Sequence, residues 1–86
     1  MKGIVIEKTP VCIYNVEGRF FASIDICTHE EVPLSEGYLH GDIIECDAHG
    51  ARFDLKTGAV RSAPAVLPLK MFKTKAEDGW VWVDIN

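Results

Sequence analysis

The sequence predicts an all-β fold, an antiparallel sandwich or small barrel, with a small ligand-bearing lobe inserted between its strands. Three observations carry this expectation. The apolar runs are short and rich in β-branched residues, and none sustains the 3.6-residue period of a helix. Glycine and proline punctuate them at brief intervals, as turns between short strands require. The stretch from Cys27 to Gly50 then interrupts the strand pattern with two of the three cysteines and all three histidines.

Taken in order, Ile4–Glu7 is a β-branched run that the Thr9-Pro10 pair is expected to close. Val11–Val16 turns back at Glu17-Gly18 into Arg19–Ile24, a predicted hairpin. Tyr38–Leu39 and Ile43–Cys46 flank His40-Gly41-Asp42 as a second one. Arg52–Leu55 runs into Lys56-Thr57-Gly58, where glycine supplies the permissive backbone. Two late strands follow, Leu69–Thr74 and Trp80–Ile85, the latter alternating Val81, Val83 and Ile85 with Trp82 and Asp84. Trp80 and Trp82 are expected to be sheet or core residues.

A chain of 86 residues reads as a single domain, 1–86, with the lobe at approximately 27–50. The net charge is −4 and the nine basic residues are scattered, which argues against nucleic acid as a partner. The N-terminal apolar run is too short for a signal or a membrane span, so no membrane association and a cytoplasmic, monomeric protein are expected. Three cysteines, an odd number, fit a disulfide framework poorly, and thiol beside imidazole points instead to metal.

The metal signal is concentrated in two boxes, Cys27-Thr28-His29 and Cys46-Asp47-Ala48-His49, separated by sixteen residues. Each supplies one thiolate and one imidazole, a set that satisfies the tetrahedral demands of zinc or of iron–sulfur iron. Zinc sites usually pair like with like, two cysteines in one box and two histidines in the other. Mixed boxes suit a two-iron cluster with both cysteines on one iron and both histidines on the other. His40 lies in a turn and is not needed as a ligand, and Cys12, in a β run, reads as an inert packed thiol.

The run "CTH…SEGYLHGDIIECDAHGARFDLKTG", flanked by "YNVEGRFFA", "APAVLPLKMFKT" and "VWVDI", resembles the Rieske-type ferredoxins of aromatic-ring-hydroxylating dioxygenase systems. The resemblance implies a [2Fe-2S] cluster held by Cys27 and Cys46 on the inner iron and by His29 and His49 on the outer one. It implies that Gly50 lets the backbone approach the sulfides, and that Ser62–Pro68 forms a third loop over the cluster. It also implies an electron carrier rather than an enzyme. Its partners would be a flavin-dependent ferredoxin reductase and a terminal Rieske oxygenase. Alternatives are the Rieske-like small subunit of a reductase complex of the nitrite reductase type, and a non-redox zinc-stabilised β module.

With neutral imidazoles the oxidised cluster carries no net charge. Histidine ligation therefore places the potential roughly between −150 and +300 mV. High-potential relatives follow the second box with hydroxyl residues that donate to cluster sulfur. Ala51 and Phe53 occupy those positions here, and Val32 and Ala48 replace the disulfide that such proteins carry. Both features imply the low-potential class. Two departures from the ferredoxin pattern stand out: Glu30 and Glu31 after the first box, and Asp47-Ala48 inside the second. Together with Glu36, Asp42 and Glu45 they form either a solvated acidic lobe or a docking face for a basic partner. The family also usually carries a further N-terminal strand, for which this chain is short.

Overall fold

The computed structural model describes residues 1–28, 30–48 and 50–85. Among them run β1 (Lys2–Ile6), β2 (Thr9–Val16), β3 (Arg19–Ile24), a 3₁₀ turn (Leu34–Glu36), β4 (Tyr38–His40) and β5 (Ile43–Glu45). They are followed by β6 (Arg52–Asp54), β7 (Val60–Ser62), β8 (Met71–Glu77) and β9 (Trp80–Asp84). Two antiparallel sheets result, a five-stranded base in the order β1-β2-β3-β8-β9 and a four-stranded sheet in the order β4-β5-β6-β7. The expected all-β architecture is therefore present, with the smaller sheet emerging where the base passes from β3 to β8.

Three two-residue turns shape the base: Glu7-Lys8 (φ 47° and 69°), Glu17-Gly18 (51° and 86°) and Asp78-Gly79 (52° and 81°). Positive φ at both central positions is the signature of the type I′ turn, whose twist matches that of paired strands. At Glu17-Gly18 the side chain of Asn15 also accepts from the Gly18 amide at 2.9 Å. The first turn corrects the expectation that Thr9-Pro10 closes a strand. The chain reverses two residues earlier, and Pro10 lies inside β2 opposite Val5. Its carbonyl accepts the Asp25 amide at 2.9 Å.

Strand alternation divides the core in two. From β2, Cys12 and Tyr14 face the lobe and pack with Leu34, Ile44, Phe53, Leu55 and Leu69, together with Cys27 and Cys46. Val11 faces the other way, joining Ala22 and Phe72, against which Ile4, Ile6, Val83 and Ile85 pack. Complete burial of Phe53 contributes about 1.5–3 kcal/mol. The alternation read along β9 holds, but with the tryptophans outside: Trp80 is 71% and Trp82 62% exposed. They are sheet residues and not core residues.

The lobe runs further than Gly50. Strand β7, too short to leave a periodic signature, pairs with β6 and carries the small sheet to Ser62. Gly58, at φ 81°, makes the intervening turn, and a side chain there would collide with the Leu69 carbonyl. The amide of Leu69 donates to Gly58 O at 2.8 Å, bringing the chain back toward the base.

Candidate metal centre

Two loops of equal length, closed in the same way, carry the two boxes. In the first, the amide of Cys27 donates to the carbonyl of Val32 at 3.0 Å; in the second, the amide of Cys46 donates to the carbonyl of Ala51 at 2.7 Å. Each bond spans five residues and turns a cysteine side chain inward. Cys27 is 2% and Cys46 1% exposed, within one core cluster. Gly50 adopts φ 72°, a conformation that a residue with a Cβ adopts only with strain, and this allows the second loop to close. His29 and His49 lie outside the described residues.

The loops reach this geometry because each continues an ordered stem. Strand β3 delivers the first, and the 3₁₀ turn that begins with buried Leu34 receives it. Strands β5 and β6, paired through Glu45 and Arg52, hold the second. The Ser62–Pro68 segment touches both. The Thr28 hydroxyl donates to the Leu67 carbonyl at 2.8 Å, and the Ser62 hydroxyl to the Gly50 carbonyl at 3.4 Å. Beyond these contacts Val66 and Leu67 project into solvent, 86% and 61% exposed.

The two thiols lie side by side. Burial pushes the Cys46 thiol up to about 11, and the hydrogen bond with Cys27 and the charge of that neighbour push in the same direction. Adjacent buried thiolates are unfavourable without a compensating positive charge, and a metal supplies that charge. Cys12 is also fully buried, and burial raises its thiol to about 11. It sits in β2 within the core, packed as expected from the sequence.

The acids of the lobe are not a uniform solvated set. Glu45 Oε1 accepts from Arg52 Nε at 2.8 Å and from His40 Nε2 at 3.1 Å, and Arg52 Nη2 lies 2.8 Å away. The hydrogen bond from Arg52 holds its carboxyl below the ordinary range; desolvation opposes this in part, and His40 adds a smaller lowering. Asp42 pairs with Lys56 at 3.2 Å, and Asp47 accepts the Tyr38 hydroxyl at 3.1 Å. The Glu45–Arg52 pairing escaped sequence reasoning, although a loop flanked by opposite charges on a hairpin was its available signal. Ala51 and Phe53 are both fully buried and offer no hydroxyl.

The family model described as the Rieske [2Fe-2S] domain matches residues 1–73. The chain belongs to the Rieske [2Fe-2S] family. This Rieske chain is 45% identical over 77 residues to "Biphenyl 2,3-dioxygenase, ferredoxin component" of Rhodococcus jostii (strain RHA1), covering 90% of the chain and 72% of that protein. It is 37% identical over 84 residues to "Naphthalene 1,2-dioxygenase system, ferredoxin component" of Pseudomonas putida, covering 98% and 81%. Among solved structures, the Sphingomonas yanoikuyae B1 ferredoxin superposes with a TM-score of 0.88 at 39% identity, over 98% of this chain and 85% of that one. A chain from the complex of reduced oxygenase and oxidized ferredoxin in carbazole 1,9a-dioxygenase gives 0.91 at 38% identity, over 96% and 86%.

A [2Fe-2S] cluster fits the residues described. Two adjacent, buried thiols on matched loops are the kind of donors that one iron of such a cluster takes, and the Ser62–Pro68 segment is hydrogen-bonded to both loops. No helix among the described residues is long and apolar enough to cross a membrane.

Proposed function

We propose that this chain is a low-potential Rieske ferredoxin, a one-electron carrier from a flavin-dependent reductase to the terminal oxygenase of an aromatic-ring-hydroxylating system. The observation that carries the reading is the pair of matched loops presenting Cys27 and Cys46 inward from one buried core. The ligands are Cys27 and Cys46 on the inner iron, and His29 and His49 on the outer iron. Residues 1–86 work as one domain, in the cytoplasm, with no catalytic residues of their own.

When bound, the cluster supplies a one-electron couple. The chain's own residues do the rest. Cys27 and Cys46 hold the buried side, Thr28 and Ser62 fasten the Ser62–Pro68 segment over the loops, and apolar Ala51 and Phe53 exclude hydroxyl donors. Fewer donors to cluster sulfur leave the reduced state less stabilised, which supports the low-potential assignment.

The test is anaerobic purification followed by iron and sulfide analysis, visible absorption, and EPR of the reduced protein. Two irons and two sulfides per chain with a rhombic reduced signal are expected, followed by reoxidation on mixing with a Rieske oxygenase. Zinc in place of iron, or a reduced protein that no oxygenase reoxidises, overturns the reading.

A further inference from the structure

Asp25 directly follows β3, two residues before Cys27, and it is only 8% exposed. Its carboxylate takes both donors of one distant residue: Oδ1 accepts the Ser35 amide and Oδ2 the Ser35 hydroxyl, each at 2.7 Å. Ser35 lies in the 3₁₀ turn immediately beyond the first ligand loop. The bond pair therefore joins the two ends of the segment that carries Cys27, Thr28 and His29, outside the inner Cys27–Val32 closure. Main-chain bonding fixes Asp25 itself, through its amide to the Pro10 carbonyl at 2.9 Å in β2.

A third segment locks the pair. Gly3 of β1 lies so near that a Cβ built on it would stand 2.6 Å from Asp25 Oδ2 and 2.7 Å from Ser35 Oγ. Base strand, loop entry and loop exit thus meet at one point, where Asp25 is buried, Ser35 half-buried and Gly3 at the surface. A buried carboxylate bound by two donors is a far stiffer joint than an exposed ion pair. At the corresponding place the second loop has the exposed Glu45–Arg52 pair on its β5–β6 stem.

We propose that Asp25 is a positioning residue for the cluster. Through Ser35, and with Gly3 packed against both, it clasps the first loop to the base sheet and so fixes Cys27 against the second loop. The inference rests on the ligand reading given above. The bonds of Asp25 run to Ser35 and to the Pro10 carbonyl, so its action is through the loop that it closes.

The test uses the holoprotein and three independent ways of opening the clasp: Asp25→Ala, Ser35→Ala and Gly3→Ala, the last by intrusion and without altering either partner. Iron release to excess chelator, followed by loss of the visible band, should accelerate at least fivefold in Asp25→Ala and about two- to fivefold in the other two. The reduced EPR signal should broaden in all three. Asp25→Asn, whose amide can still bond Ser35, should release iron at near the wild-type rate. If Asp25→Ala does not accumulate, the Ser35 and Gly3 variants decide alone.

Wild-type release rates and an unchanged EPR line in Ser35→Ala and Gly3→Ala overturn the proposal. The ligand reading is tested separately by Cys27→Ala, which must lose the cluster outright. A Cys27→Ala protein that keeps its cluster sinks the ligand reading. Loss of the cluster there, with unaltered clasp variants, sinks the clasp alone.

Discussion

The hydroxyl of Thr28 donates to the carbonyl of Leu67 at 2.8 Å across a sequence separation of 39 residues. It ties the Cys27 loop to the Ser62–Pro68 segment. Thr28→Val keeps the shape and removes the donor, and should cost about 0.5–1.5 kcal/mol. Thermal unfolding should show a midpoint several degrees lower, with Thr28→Ser restoring it.

Asp47 accepts the hydroxyl of Tyr38, and that bond, followed by the carboxylate's charge, raises the phenol above its ordinary pKa. Asp47→Asn should let Tyr38 ionise at lower pH in a near-ultraviolet titration. The same change removes a negative charge beside Cys46. The midpoint potential should then rise by about 10–20 mV at low salt and by less at high salt. An unchanged potential would make the acid a purely surface group.

Alkaline pH should loosen the base sheet. Burial raises the Cys12 thiol from 9.0 to about 11, and burial also raises Tyr14. A group whose folded pKa is raised contributes stability fully present below its unfolded value and lost as pH climbs through the folded one. For Cys12 that window is pH 9 to about 11. Denaturant unfolding across it should show stability falling by about 2–3 kcal/mol, less steeply in Cys12→Ala.

Gly37 connects the 3₁₀ turn to β4 with no room to spare, because an added Cβ would run into the carbonyl of Glu45. Both groups are backbone-fixed, so neither yields easily. Gly37→Ala should cost about 1–3 kcal/mol in denaturant unfolding. Gly18→Ala meets open space but puts a Cβ at φ 86°, so its cost, about 1–2 kcal/mol, comes from backbone strain alone.

Much of this architecture could be read before any coordinates. The Glu17-Gly18 hairpin was legible because glycine at a φ of 86° is the expected residue there. The Glu7-Lys8 turn was not, since two long charged side chains give no sign that the backbone will adopt positive φ. Attention fell instead on Pro10, whose β2 position the sequence could not reveal. The paired boxes stood out because thiol and imidazole restrict residue type; of them the structure brings Cys27 and Cys46 into one core, while His29 and His49 lie outside the described residues. The supports of the boxes did not stand out: Asp25 and Ser35 are common residues ten positions apart, and only folding brings them to 2.7 Å. Trp82 was placed on the correct strand, yet alternation alone cannot say which of two apolar faces meets solvent.

That last placement reaches into how the molecule can be studied. With Trp80 and Trp82 already 71% and 62% exposed, the indole rings meet nearly the same surroundings whether the chain is folded or not. Their emission should lie toward the red from the start and shift little on denaturation. The spectroscopist's habitual window would be almost blind to collapse of the core. The informative ring is Tyr14, fully buried and hydrogen-bonded to Ser23 at 2.8 Å, whose near-ultraviolet signature disappears only when the interior opens.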